Sequence, residues 1–517
     1  MPGEQVYRVV KSSQGPDTLL VQSGEGEVPL HSRIDPIREG RLYEERFDPS
    51  RFDLLIVLGT GLGYHLAGLE KRIGEYMRVI CVDVLGGIET HIARNPVTSF
   101  LVKSPGIEVI TGKDPLEVAK RLAELIDLDQ ARGVSVIEHP ASLRAFGEYY
   151  GSIRGAIKRI IDRKAGNRAT RKAFGSLYLR NALRNFWLLD GIAPVRRLFG
   201  AFTGLPAIIA ASGPSLDGDA DIIRRNQERF FIVAVDSALP ALAGRGIIPD
   251  IVISIDPQPF VQEHFLGCDT GRAVIVCSLT SPPAVVRGEG RFLSLNSHPL
   301  SQLAREVYGD GVGSVDSRTG TVAGDAVELC VRCGFHGIGI TGLDFSFFDY
   351  GIYARGTAYQ RRYALHFQDR FVTVEGRNCL YILRSSGGLK RDGRFTRRSF
   401  LQYRHALEDY LGERRVGDVV FLNDRGITPG GTGSMGLDDF MARYPMKDID
   451  KKEFLARVWA DTAMLSAEPG LAALREASRS DLFRDLVDAS IGTECGDDEA
   501  SKYLLLAESS GKRQRRA

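Results

Sequence analysis

The residues of this chain best suited to chemistry sit where apolar runs stop. Residues 207–216 read Ala-Ile-Ile-Ala-Ala-Ser-Gly-Pro-Ser-Leu, the pattern of a buried strand that runs into a tight turn. Gly213 permits the unusual backbone angles of a turn that hugs a ligand, Pro214 offers no N–H, and Ser215 brings a hydroxyl to the start of the next helix. Anions favour helix N-termini, so this is a place for a phosphate, with Ser212 beside it. Ser317-Arg318-Thr319-Gly320-Thr321 repeats the chemistry ahead of a helical run from Val322 to Cys333, with Thr319 or Thr321 available as the N-cap. Two helix N-termini can then converge on one phosphate. Three further apolar runs, 230–236, 250–256 and 337–344, each stop at an aspartate: Asp236, Asp256 and Asp344. Their carboxylates can accept hydrogen bonds from ligand hydroxyls or amines, or hold a divalent ion. One of the three is expected to serve structure alone. Asp250, which precedes its strand, belongs at the opposite edge.

A second turn has related features. Leu54 to Leu58 reads as a buried strand, Gly59-Thr60-Gly61-Leu62-Gly63 as a turn, and Arg78 to Val82 as a second strand that ends at Asp83. A β-α-β unit with an acid about twenty positions past its glycines suits a nucleotide ribose. Tyr64 stands where the third glycine of that fingerprint belongs, so the alternative is that Gly59, Gly61 and Gly63 only permit a sharp reversal. His65 reads as a helix-face residue.

These side chains need a sheet to align them. Strands are expected at 207–211, 230–235, 250–255, 273–279, 292–296 and 337–342, alternating with helices as in a parallel sheet, where ligands bind beyond the carboxyl ends of the strands. Residues 1–50 read as a small strand-rich lead-in. Helical patterns cover 115–126, 149–163 and 170–189, and return from 434 onward at 452–463 and 471–486. Asn181 and Asn185 lie four apart on one helix face, where two amides can fix a neighbouring loop or a sugar. Residues 376–430 are less regular. The expected organisation is a smaller α/β domain with a helical linker (1–195), a central Rossmann-like, mostly parallel sheet domain (196–432) and a helical C-terminal domain (433–517).

The 517 residues exceed what one core usually serves. A net charge of +2 gives no electrostatic case for nucleic acid, and the basic run 512–516 reads as a solvated tail. No stretch of about 18 apolar residues is present to span a bilayer. The start, Met-Pro-Gly-Glu-Gln, lacks a secretory pattern, and seven scattered cysteines fit a reducing cytoplasm. Cys330 and Cys333 form a CxxC inside a helical run with no second ligand pair, and core packing is the expectation.

Taken in order, Ser-Gly-Pro-Ser-Leu-Asp (212–217), Pro-Asp-Ile-Val-Ile-Ser-Ile-Asp (249–256), Thr-Gly-Leu-Asp-Phe-Ser (341–346) and Tyr-Ala-Arg-Gly-Thr (353–357) resemble the motility-associated-factor (Maf) flagellin glycosyltransferases. The glycine turn through His65 and the Asn181/Asn185 pair are similar to that family's as well, so the resemblance covers most of the chain. It implies a central domain similar to bacterial sialyltransferases. The implied reaction moves a nonulosonic acid from a CMP-sugar to Ser or Thr of flagellin, for flagellum assembly and motility. In the sialyltransferases a Gly-Pro-Ser turn lies near the nucleotide; Gly213-Pro214-Ser215, Thr319-Gly320-Thr321 and Gly342-Leu343-Asp344 fill the corresponding places, and Tyr353 looks like a tyrosine that meets the departing phosphate. Preoriented donors can stabilise that phosphate without a required metal or cofactor, although a divalent ion stays open. The acceptor hydroxyl needs a general base. Many Maf-type sequences carry His where Tyr353 stands, which leaves His366, the nearest downstream histidine, and Asp344 as candidates.

Two other readings remain. The same turn and aspartates resemble 6-hydroxymethylpterin pyrophosphokinases, which would use ATP with Mg²⁺ on the acids. A flagellin-binding factor without catalysis is the third.

Overall fold

The computed structural model describes residues 7–506 except 24–25, 44–46, 77, 129, 272, 318, 367–372, 415–417, 447–448, 461–462, 494–500 and 504. The chain forms two compact units, residues 1–170 and 171–517.

The first unit opens with an antiparallel sheet of β1 (Tyr7–Val10), β2 (Thr18–Ser23) and β3 (Gly26–Pro29). A four-stranded parallel sheet follows, built from β4 (Leu54–Leu58), β5 (Arg78–Asp83), β6 (Ile107–Thr111) and β7 (Val134–Glu138) in the order β6-β5-β4-β7. Every residue of β4 is buried, as its uninterrupted Leu-Leu-Ile-Val-Leu pattern requires of a strand covered on both faces. β4 is the point where the strand order reverses, so its carboxyl end is a topological switch point.

In the second unit nine strands lie parallel. They are β8 (Ala193–Pro194), β9 (Ala207–Ala210), β10 (Phe231–Val235), β11 (Ile251–Ser254), β12 (Val274–Ser278), β13 (Arg291–Ser294) and β14 (Ile338–Thr341). After a two-stranded hairpin of β15 (Lys390–Arg391) and β16 (Arg394–Phe395), β17 (Val419–Phe421) and β18 (Gly433–Ser434) complete the sheet. The order is β18-β17-β14-β9-β10-β11-β12-β13-β8, every pairing parallel. β9 is flanked by β10 on one side and β14 on the other, in the register Ala207↔Phe231 and Ala207↔Ile338. The switch point of this sheet therefore lies between β9 and β14. The helix Val322–Cys333 packs across β9, β10 and β11, with Cys330 and Cys333 fully buried in the core as expected.

Two boundaries differ from the sequence-based expectation. The helical patterns at 149–163 and 170–189 form one helix, Gly147–Asn185. The stretch between them is polar because its residues are exposed, and without a proline it continues the helix. Residues 433–517 do not stand apart from the central sheet either. Phe440, Met441 and Leu455 pack in the same core as β9 and β10, and the buried Lys451 ammonium reaches Asp250 at 2.6 Å and the carbonyls of Gln227 and Phe230 at 2.8 and 3.0 Å. Asp250 also accepts the Ile232 N–H, at the amino edge of the sheet. Among the described residues, no helix is long and apolar enough to cross a membrane.

Candidate active site

The strands end as expected, and Ser212, Asp236, Asp256 and Asp344 all follow strands at one carboxyl edge. Hydrogen bonding then divides them into two groups with different work.

The first group seals the crevice at the switch point. The Gly213 N–H donates to the Gly342 carbonyl at 2.7 Å, the Ser215 N–H to Asp344 Oδ2 at 3.0 Å, and the Gly342 N–H to Ser215 Oγ at 2.9 Å. A Cβ on Gly213 would lie 2.5 Å from the Gly342 oxygen. Gly213 is therefore glycine because the β9 turn lies directly on the β14 turn. The expected peptide cradle at Gly213-Pro214-Ser215 is thus a correction: the N–H groups of Gly213 and Ser215 are consumed inside the protein. Ser215 is 1% exposed and the narrow cleft between it, Asp344 and Ile427 admits no water-sized sphere. Burial pushes the Asp344 carboxyl up to about 6, against the opposing effect of its bonds from Ser215. Beyond it, Phe345, Asp349 and Tyr350 hold left-handed backbone angles, φ 49°, 48° and 53°. Such conformations persist where surrounding bonds hold them; here Thr396 Oγ1 donates to the Phe345 carbonyl and the Ile427 N–H to that of Asp344.

The second group faces β10 and β11. Ser237 Oγ donates to Ser212 Oγ at 3.0 Å, the Ser237 N–H to Asp236 Oδ1 at 2.7 Å, and Ser254 Oγ to Asp236 Oδ2 at 2.8 Å. Asp236 is buried, and desolvation, aided by the charge of Asp256, pushes its carboxyl up to about 7. Asp256 is partly exposed; burial raises its carboxyl as well, and the Gln258 N–H donates to it at 2.9 Å. Tyr353 stacks on Tyr359 with ring centres 4.5 Å apart, and Tyr359 feels the charges of both Asp236 and Asp256. The Ala354 N–H donates to the Ser212 carbonyl at 2.8 Å, which ties the tyrosine segment to the β9 turn. Burial raises the Tyr353 phenol, so it stays protonated at neutral pH.

Of the two candidates for the N-cap, Thr321 takes the role, accepting the Gly324 N–H at 3.0 Å at the start of the helix Val322–Cys333. Thr319 is buried against Ser317 at 2.7 Å, and Gly320 takes φ 78°. Topology places this helix start at the carboxyl edge, because a helix leading into β14 runs against the strands. The His366 side chain lies outside the described residues, as does Arg318. Asn181 and Asn185 fix a loop: their amides donate to the carbonyls of Pro257 and Thr280, and of Leu279 and Ser281.

In the first unit, Asp83 accepts the Thr60 and Gly61 N–H groups at 2.7 Å each and that of Leu85 at 2.9 Å. The carboxylate whose spacing suits a ribose clamps its own turn.

Sequence reasoning passed over Ser237, Ser254, Tyr359 and His264. His264 is buried beside Tyr359, ring centres 5.3 Å apart, with Nδ1 unpartnered and its imidazole pushed down to about 4 by burial. Ser237 follows Asp236 directly, and Ser254 stands two before Asp256, so both were legible as polar residues at strand ends.

Fold and site together define an α/β protein with an open parallel sheet and an acid-, hydroxyl- and tyrosine-lined carboxyl edge. Residues 180–349 match the family model described as 6-hydroxymethylpterin diphosphokinase MptE-like. Over 99% of this chain and 90% of its own, the solved structure of a Maf glycosyltransferase from Magnetospirillum magneticum AMB-1 matches with a TM-score of 0.60 at 14% identity. The chain thus has the Maf fold around an MptE-like segment. Two uncharacterized proteins of Treponema pallidum (strain Nichols) are similar in sequence. One is 33% identical over 177 residues, 34% of this chain, and the other 27% over 311 residues, 59% of this chain. The chain spans 38% and 54% of the lengths of these relatives.

Proposed function

We propose that this chain is a glycosyltransferase that moves a nonulosonic, sialic-acid-like sugar from a CMP-activated donor to serine or threonine hydroxyls of flagellin in the cytoplasm. The observation that carries this reading is the group of Asp236, Asp256, Ser212 and Ser237 beside the Tyr353–Tyr359 stack, at the carboxyl edge of a sheet with the Maf glycosyltransferase fold. In the proposed reaction the acceptor oxygen bonds the anomeric carbon while its proton passes to Asp256. The bond from that carbon to the phosphate oxygen breaks, and its electron pair leaves with CMP. Tyr353, a protonated phenol, donates to the departing phosphate, and the Thr319-Gly320-Thr321 helix start supplies an anion-favouring end. Asp344 holds the β9 turn in place and is a positioning residue.

A second reading has its own support. The match of residues 180–349 to MptE-like proteins fits ATP-dependent pyrophosphoryl transfer, with Mg²⁺ on Asp236 and Asp256. Co-expression with flagellin in cells that make a CMP-nonulosonic acid, followed by intact mass, separates the readings. Added sugar mass that disappears with Tyr353→Phe and Asp256→Asn, at unchanged melting temperature, supports transfer. A stable flagellin complex of unchanged mass supports binding alone. Stabilisation by ATP with Mg²⁺ but not by CMP supports the kinase.

A further inference from the structure

The glycine turn of the first unit packs against three histidines. His139 follows β7 and His65 lies two residues past Gly63 in the turn after β4, so both stand at the switch point of the four-stranded sheet, and His31, which comes after β3 of the antiparallel sheet, packs against both rings. Each is at most 3% exposed. One ring nitrogen from each lies within 4.8 Å of the others, and among the described residues no other three His, Cys, Asp or Glu side chains converge as ligands in this way. The rings of His65 and His139 stack at 4.6 Å, and those of His31 and His139 stand 4.9 Å apart. Neither nitrogen of His65 has a hydrogen-bond partner. An imidazole buried with both nitrogens unpaired forfeits its hydration with no return, which makes it a side chain waiting for a ligand.

The glycines of the turn are explained by the same cluster. A Cβ on Gly61 would lie 2.4 Å from His31 Nε2, and one on Gly59 would lie 2.5 Å from Ser142 and 3.1 Å from His139. The chain is glycine there because imidazoles and their support occupy the space a side chain would fill.

We propose that His31, His65 and His139 bind one divalent cation of the zinc, cobalt or nickel class. Neutral imidazole is the ligating form. His139 is oriented as metal-bound histidines usually are: Nδ1 pairs with Ser142 Oγ at 2.8 Å, which leaves Nε2 facing the cluster. Glu39 Oε1 stands 3.9 Å from His139 Nε2 and places a carboxylate beside the cluster. Metal–nitrogen bonds of about 2.0–2.1 Å set the nitrogens roughly 3.4 Å apart in a tetrahedron, so the three rings must draw closer on binding. His31 Nε2 accepts the Leu62 N–H at 2.8 Å, so His31 is the ligand that must re-pair on binding.

The site stands in the first unit and does not depend on the glycosyltransferase reading. The test uses the untagged full chain, stripped with a chelator and titrated with Co²⁺, whose visible absorption reports tetrahedral nitrogen ligation. The expected result is saturation at about one Co²⁺ per chain and displacement by Zn²⁺, lost in His65→Gln and His139→Gln but retained in His336→Gln. Ser142→Ala and Glu39→Gln are expected to weaken binding about 10–100-fold, and they keep the test open if a histidine variant does not fold. Absence of Co²⁺ absorption in the folded wild type would overturn the proposal. So would binding that is unchanged in Ser142→Ala, Glu39→Gln and every folded histidine variant.

Discussion

Replacement of Asp236 by asparagine should make this protein more stable at alkaline pH. In the folded chain Asp236 keeps its proton up to about pH 7, whereas an unfolded aspartate releases it near pH 3.9. Between those values the folded state holds the extra proton, so stability falls as pH rises through the window and stays low above it. At about 1.4 kcal/mol per pH unit the penalty approaches about 4 kcal/mol by pH 8, an upper limit for one carboxylate. The asparagine amide keeps one acceptor for the two donors, Ser254 Oγ and the Ser237 N–H, and losing the other returns about 1 kcal/mol. The net gain is about 3 kcal/mol at pH 8 and turns into a loss of up to about 1 kcal/mol at pH 4. For a unit of this size that corresponds to roughly 3–6 °C in melting temperature. Scanning fluorimetry of both proteins at pH 4.5, 6 and 8 measures the difference directly, so that other raised carboxyls, such as Asp325 at about 7, cancel. If Asp236→Asn melts lower than wild type at pH 8, or if the difference does not change with pH, the reasoning about its burial is wrong. A gain in stability accompanied by loss of the proposed flagellin modification would show that the protein carries this cost for that chemistry.

Three further outcomes are expected. Lys451→Met leaves the Asp250 carboxylate buried without its ammonium and should cost about 3–5 kcal/mol, read as a lower denaturation midpoint. Asn185→Ala orphans the buried carbonyls of Leu279 and Ser281 and should cost about 2–4 kcal/mol, with faster amide exchange confined to residues 279–283 and their neighbours. Gly59→Ala forces a side chain at φ 86° into Ser142 and should lower the melting temperature of the first unit more than Gly204→Ala, which meets nothing within 4 Å at a similar angle, lowers that of the second.

The central sheet was largely legible because its strands are buried on both faces. Apolar runs expected at 207–211, 230–235 and 337–342 form β9, β10 and β14 to within a residue or so at each end. β8, β17 and β18 were not foreseen, being two or three residues long and too short to show a period. Strand ends located the acids but not the direction in which their bonds run. Asp344 and Asp236 end equivalent strands; the first pairs with a turn across the switch point and the second with serines toward β11. Asp83 shows the same limit, since its spacing suits a ribose and its bonds go to Thr60, Gly61 and Leu85. His65 lies on a helix face as expected, but the approach of His31 and His139 to it was not legible, because they lie 34 and 74 positions away in sequence.

The nine-stranded sheet tapers to two residues at either rim, Ala193–Pro194 on one side and Gly433–Ser434 on the other. Neither rim exposes a run of free N–H and C=O groups long enough to recruit a strand from another molecule, and the proline removes a donor from one of them. A broad hydrophobic platform of this kind can therefore accumulate without seeding fibres, and a substitution that lengthened either rim would be the first place to look for aggregation.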